Sequence, residues 1–147
     1  YSLNENHPIA IRYSKYDYNN LFLPDKDFKT WDVIKEGKNA IVSYGDLLNR
    51  LYPYVKDTDL ALVNAKNLSL VDLNILNKYQ KIIVIEDVIE TSCLGEKLIS
   101  HVYHNHLNNI ISTHNLGMTY LETGNKDELI RKYIGDLEEI IRKESKC

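Results

Sequence analysis

Three histidines lie close together in the sequence, and their spacing could support a metal site. His101 and His104 are three residues apart, so on a helix they share one face and could both reach one ion, with His106 close behind. No cysteine or carboxylate stands at a supporting spacing, however, and histidines are favoured at the carboxyl end of a helix. We favour this second interpretation and predict no metal ligands.

Three acidic residues, Glu86, Asp87 and Glu90, follow a continuous apolar run at 82–85. Such a group could bind a divalent cation through its carboxylate oxygens. Solvated acids near the first turn of a following helix are a commoner explanation of the same pattern. We therefore interpret these residues as solvent-exposed acids at the end of a strand.

Other active-site motifs are incomplete. Gly45-Asp46 could begin a motif that binds thiamine diphosphate and magnesium, but Leu47 stands where that motif needs a second glycine, and Asp46 is explained as a helix-start residue. No Gly-x-Gly-x-x-Gly fingerprint follows a strand, and neither Cys93 nor any serine sits in a nucleophile elbow. We predict that this chain carries no catalytic, cofactor-binding or metal-binding residues of its own.

The composition is that of an ordinary globular domain. The 147 residues are 44% hydrophobic and 27% charged with a net charge of −3, which predicts a single domain over 1–147 and gives no signal for nucleic acid binding. Two cysteines suit a reducing cytoplasm, and no segment has the length of a membrane span. Because the sequence begins with Tyr1 instead of Met, we interpret it as a piece of a longer protein.

The elements that would position these residues alternate between strands and helices. The buried run at 81–85 indicates a strand covered on both faces. Further strands are predicted at 8–13, 31–35, 40–44, 60–63 and 109–112. Helices are predicted from Gly45-Asp46, at 71–76 with Ser69 as its cap, at 94–103, and at 127–133 and 136–143.

This order predicts an α/β fold: a three-layer sandwich with a mostly parallel sheet and an antiparallel edge strand. The strands at 31–35 and 40–44 are separated by a short turn, so we expect them to form a hairpin that supplies the antiparallel edge.

The order of motifs resembles the C-terminal domain of the transketolase family, and within it that of the 1-deoxy-D-xylulose-5-phosphate synthases. The segments that carry the likeness are His-Pro-Ile-Ala-Ile-Arg-Tyr at 7–13, the stretch at 32–45, the strand and acids at 81–87, and the closing segment at 115–129. The family's Arg-Tyr-Pro-Arg-Gly is changed to Arg-Tyr-Ser-Lys-Tyr at 12–16. Its Gly-Gly-x-Gly is reduced to Ser-Cys-Leu-Gly at 92–95.

The resemblance implies a parent enzyme that uses thiamine diphosphate and Mg²⁺, both held by preceding domains, to join decarboxylated pyruvate to glyceraldehyde 3-phosphate. It implies a structural role for this domain in a homodimer, and contact between Lys15, with Arg12 nearby, and the phosphate of the acceptor. A lysine lacks the forked donor of arginine, so looser phosphate binding is expected. The alternatives are another transketolase-type enzyme, either two-chain or resembling an E1 beta subunit, and a free-standing α/β module that binds a ligand or partner.

Overall fold

The computed structural model describes Pro8 and residues 29–146. This part of the chain contains a five-stranded sheet and five helices. The strands are β1 (Asp32–Lys35), β2 (Asn39–Ser43), β3 (Leu60–Asn64), β4 (Lys81–Ile85) and β5 (Ile110–His114). The helices are α1 (Asp46–Val55), α2 (Leu73–Lys78), α3 (Leu94–His104), α4 (Lys126–Tyr133) and α5 (Leu137–Glu144).

The sheet is mostly parallel and has one antiparallel edge strand. Its order is β1-β3-β2-β4-β5. The strands β2 to β5 run parallel, with Ala40 opposite both Ala61 and Ile82, whereas β1 runs antiparallel to β3. The predicted α/β class and the antiparallel edge are therefore confirmed.

The predicted hairpin between β1 and β2 is wrong, because β1 pairs with β3. The link between β1 and β2 crosses the start of β3, where the backbone N–H of Lys38 donates to the Asp59 carbonyl at 2.6 Å. Gly37 permits this crossing, since a Cβ at that position would lie 2.2 Å from the backbone nitrogen of Ala61. Every residue of β3 is buried, so this strand takes an interior position and the half-buried β1 lies outside it.

Two helical layers cover the sheet, as a three-layer sandwich requires. Alternate strand residues such as Val42 and Val84 pack with α2 and α3 on one face. Their neighbours, such as Ile41 and Ile83, pack with α1, α4 and α5 on the other. The period of two along each strand therefore supplies both hydrophobic cores, and the continuous apolar run of β4 is explained by burial on both faces.

The cap of α2 differs from the prediction. Asp72, and not Ser69, is the N-cap residue, and its Oδ1 accepts a hydrogen bond from the Asn74 backbone N–H at 2.9 Å. Its Oδ2 accepts from the backbone N–H of Trp31 at 2.7 Å, so one carboxylate joins α2 to the start of β1. A charged acceptor directly before the helix satisfies its first N–H groups better than a hydroxyl four residues away.

The predicted strand at 8–13, except for Pro8, lies outside the described residues. The other predicted elements are present, and their ends differ from the prediction by at most two residues. Within the described residues, no helix combines the length and the apolar character needed to span a membrane.

Candidate functional site

The carboxyl ends of the four parallel strands meet at one edge of the sheet, where α/β folds place their working residues. Four segments leave this edge, at 44–45, 65–72, 86–93 and 115–125. The acidic residues that follow β4 belong to this edge, which is therefore the candidate functional site of the described residues.

Glu86 is the central side chain of this edge, and it is fully buried. Its Oε1 accepts a hydrogen bond from the backbone N–H of Gly95 at 2.8 Å, and its Oε2 accepts from that of Leu94 at 2.9 Å. The hydroxyl of Tyr44 donates to Oε2 at 3.0 Å. Because unpaired N–H groups make a helix N-terminus attractive to anions, the carboxylate stabilises the start of α3 and fills its anion-binding position.

The interpretation of Glu86 as a solvated acid is therefore wrong, although Glu90 is exposed as expected. Gly95, the glycine that remains of the family's Gly-Gly-x-Gly motif, leaves room for the Glu86 side chain beside α3. A Cβ at Gly95 would lie 2.4 Å from Cγ2 of Thr113 and 3.3 Å from Glu86 Oε1. An acid directly after a buried strand, with a glycine nine residues later, is the sequence signal that could have revealed this contact.

The first turn of α3 is held by a second set of hydrogen bonds. Cys93 is the N-cap, and its Sγ accepts from the Glu96 backbone N–H at 3.4 Å. The Glu96 carboxylate in turn accepts from the backbone N–H of Ser92, which has a φ of 58°. This arrangement is similar to a capping box with a thiol in place of the usual hydroxyl, but the Glu96 carboxylate bonds the residue before the N-cap and not the N-cap itself.

The two polar groups nearest to Glu86 are held in their protonated forms. Burial, together with the Glu86 carboxylate, raises the pKa of the Tyr44 phenol well above its usual range. Burial also raises the pKa of the Cys93 thiol. At neutral pH, Tyr44 therefore serves as a hydrogen-bond donor, and Cys93 has the weak nucleophilicity of a thiol.

A cleft of about 220 Å³ lies beside the start of α3. It is lined by apolar and polar side chains from three of the edge segments and from α3: Tyr44, Leu68, Val88, Thr91, Ser92, Cys93, Leu94 and Lys97. The Nζ of Lys97 lies 2.6 Å from the carbonyl oxygen of Leu68, so this ammonium group is directed to the backbone of the loop.

Asp46 belongs to a network of ion pairs beside the same edge. Its Oδ2 lies 2.6 Å from Nε of Arg50 and 3.4 Å from Nζ of Lys126. Lys126 also pairs with Asp87 at 2.8 Å, and Arg50 contacts Asp127. The network ties α1 and the end of β4 to the start of α4.

This network shows whether the incomplete thiamine diphosphate motif at Gly45-Asp46 could bind magnesium. A magnesium diphosphate site needs an available carboxylate, but Asp46 is already paired with two cations. Leu47, at the position of the missing glycine, is buried in the core. The described residues here therefore do not fit a thiamine diphosphate and magnesium site, and Asp46 begins α1 as the sequence indicated.

The histidines lie at the far end of α3, away from the candidate site. His101 and His104 occupy its last two turns, and His106 follows with a φ of 52°. No group of three or more His, Cys, Asp or Glu side chains is placed to hold a metal ion within residues 29–146. Arg12 and Lys15, the residues assigned to phosphate by the resemblance, lie outside the described residues.

Comparison with known proteins identifies what this chain is similar to. No protein family model matches it. It is 31% identical over 93% of its length to the 1-deoxy-D-xylulose-5-phosphate synthase of Malacoplasma penetrans. It is 28% and 29% identical, each over 97% of its length, to the synthases of Clostridium acetobutylicum and Clostridium tetani.

A solved structure supports the fold independently. A split-gene transketolase, described as an inactive beta4 tetramer, matches 80% of this chain with a TM-score of 0.62 and 17% identity, and the match covers 42% of that chain. The chain spans about a quarter of the length of the curated synthases, with 24% to 25% of each covered. The resemblance inferred from the motifs is thereby confirmed: this chain is similar to the C-terminal domain of the transketolase family and, within that family, to 1-deoxy-D-xylulose-5-phosphate synthase.

Proposed function

We propose that this chain is the C-terminal domain, residues 1–147, of a thiamine-diphosphate-dependent 1-deoxy-D-xylulose-5-phosphate synthase. The parent enzyme would join pyruvate and glyceraldehyde 3-phosphate in the cytoplasm, for isoprenoid and thiamine precursor synthesis. The observation that best supports the proposal is the similarity to such synthases over 93% to 97% of the chain. Likeness across a whole domain supports a shared position in the parent more strongly than one short motif does.

The proposed role of the domain is architectural. The side chains that could have served chemistry at the carboxyl edge are committed to structure: Glu86 to the start of α3, and Asp46 and Asp87 to ion pairs with α1 and α4. Thiamine diphosphate and Mg²⁺ would be held by the preceding domains, and the domain would support the homodimer of the parent.

Phosphate contact is the second part of the proposed role, and it falls to Lys15 with Arg12. A helix N-terminus at a sheet's carboxyl edge is a common phosphate site. At α3 this position is filled by the Glu86 carboxylate, which would repel a second anion. A cationic side chain such as that of Lys15 is then a more suitable partner for the acceptor's phosphate.

The gene's upstream sequence and an activity assay test the proposal together. We expect a long preceding region with Gly-Asp-Gly and a more distant asparagine, and synthase activity of the full-length protein. As a direct test, this chain would replace the C-terminal quarter of the Malacoplasma penetrans synthase.

The matched control for this chimera is the same synthase without its C-terminal quarter. The chimera should form 1-deoxy-D-xylulose 5-phosphate from the two substrates, whereas the truncated enzyme should not. A well-folded chimera as inactive as the truncated enzyme would contradict the proposal. An initiator Met directly before Tyr1 would instead favour the free-standing module.

A further inference from the structure

Exposed apolar side chains are concentrated at the carboxyl edge of the sheet. The large hydrophobic residues exposed in the described chain number eleven, and six of these lie on the loops that follow β3, β4 and β5. We call these six the carboxyl face: Leu68, Leu70, Ile89, Met118, Tyr120 and Leu121. Tyr120 is 99% exposed, so the rest of this chain gives its ring almost no cover.

Contacts between the three loops make the carboxyl face continuous. Leu68 and Thr91 line the same cleft, and Oγ1 of Thr91 lies 3.8 Å from Sδ of Met118. The backbone N–H of Leu116 donates to the Val88 carbonyl at 2.9 Å, which joins the loops after β4 and β5. The three loops are therefore joined, with Leu68 and Met118 connected through Thr91.

The opposite edge of the sheet is polar. The loops there, at 36–38, 56–59 and 105–109, expose residues such as Glu36, Lys38, Asp57 and Asn108. None of the large exposed hydrophobic residues of the described chain lies on these loops. An exposed apolar surface concentrated at one edge, with Tyr and Met among its residues, is typical of a protein interface.

The path of the chain shows what lies next to this surface. Because β1 is antiparallel to β3, it begins at the carboxyl edge, with Asp32 opposite Asn64. Just before it, the backbone N–H of Trp31 donates to Asp72 at 2.7 Å, and its indole N–H donates to the Asn67 carbonyl at 3.1 Å. The start of the described segment at residues 29–32 thus lies at the edge that carries the carboxyl face.

We propose that the carboxyl face is the docking surface for the polypeptide that precedes this chain in its parent protein. This proposal rests on the proposed function, in which relatives about four times as long supply that polypeptide. Covalent linkage to this edge through residues 1–28 gives the preceding region a high effective concentration at the face, so even a modest apolar area binds it. The docked surface would cover Met118, Leu70 and Tyr120 and leave the polar edge in water.

Thiol labelling of the full-length protein tests the proposal with matched positions. Met118→Cys lies on the face, and Tyr103→Cys on α3 lies away from it, where the native side chains are 66% and 76% exposed. Leu70→Cys and Ile99→Cys form a second pair, at 43% and 47% exposed. All variants would carry Cys147→Ser, and Cys93 is buried.

In the full-length protein, a maleimide should modify the two face positions at least about tenfold more slowly than their controls, because labelling requires the domains to open. In the 147-residue chain alone, each pair should react at similar rates. Equal rates in an active full-length synthase would overturn the docking proposal and leave the proposed function standing.

Slow labelling of the face already in the 147-residue chain would also overturn the proposal, because a second copy or residues 1–28 would then be the occupant. A full-length protein that protects the face but has no synthase activity would support docking while contradicting the proposed function. The docking proposal and the proposed function can therefore be contradicted independently of each other.

Discussion

The Oε1 atom of Glu86 lies 2.8 Å from the backbone nitrogen of Gly95, so a buried carboxylate at the end of β4 holds the first turn of α3. The contact requires both residue types. Only a carboxylate offers two acceptors to the Leu94 and Gly95 N–H groups, and a Cβ at position 95 would collide with Thr113. This pair connects the end of β4 to the helix that borders the cleft and the carboxyl face.

Replacing Glu86 by Gln should lower the free energy of unfolding by about 1–3 kcal/mol, because the amide turns one acceptor into a donor that faces backbone N–H groups. Urea denaturation measures this loss. The matched control is Glu90→Gln at an exposed position, which should stay within about 0.5 kcal/mol of the natural protein. Equal effects of the two substitutions would contradict the role assigned to Glu86.

Replacing Gly37 by Ala should destabilise the protein by about 1–3 kcal/mol or more, because the new methyl group would overlap the backbone of Ala61. Gly124→Ala is the control, since its Cβ would lie 3.6 Å from the nearest atom, on the Leu129 side chain. Thermal unfolding of both variants distinguishes them. If Gly37→Ala unfolds at the same temperature as the unsubstituted protein, the assignment of Gly37 to a crossing of β3 is wrong.

Stability should fall as the pH decreases below about 6.5, the usual pKa of histidine, and His114 should account for part of the loss. Burial lowers the pKa of His114, and Lys143 acts in the same direction while Glu144 opposes them. As the pH falls, the unfolded chain therefore takes up the His114 proton at a higher pH than the folded chain does. The stabilisation that comes from neutral His114 is complete above the unfolded pKa and is lost as the pH falls through the folded pKa. The change is at most about 1.4 kcal/mol per pH unit.

Urea denaturation across this pH range measures the effect. His114→Gln should flatten the decrease, whereas His104→Gln, at an exposed position, should leave it nearly unchanged. An unchanged slope in His114→Gln would assign the acid sensitivity to other groups.

Replacing Lys15 by Ala in the full-length synthase should raise the KM for glyceraldehyde 3-phosphate and leave the KM for pyruvate nearly unchanged. Loss of one charge-assisted contact with phosphate costs about 1.5–3 kcal/mol, or about ten- to a hundredfold in specificity. Lys15→Arg should be neutral or improve binding, because it restores the forked donor. Equal losses for both substrates, or no loss for either, would place Lys15 on the solvated surface.

The sequence by itself determined the fold class and the order of the elements. The Ile-Ile-Val-Ile run at 82–85 predicted a strand buried on both faces, and all four side chains are buried in the structure. The amphipathic spacing at 46–55 predicted α1, whose residues Leu47, Leu48 and Leu51 are buried against the sheet. Strands and helices can be predicted from such patterns because their periods depend only on residues a few positions apart in the sequence.

Only the tertiary structure decided the partner of β1, the cap of α2 and the environment of Glu86. A hairpin between β1 and β2 was predicted because only a short turn separates the two strands in the sequence. In the structure β3, sixteen residues beyond β2, lies between them. Glu86 resembles any acid after a strand until the chain brings the α3 N–H groups and the Tyr44 hydroxyl to it. A buried carboxylate is stable only when such donors surround it, and the glycine nine residues later marks the α3 N–H groups but not the position of the Tyr44 hydroxyl.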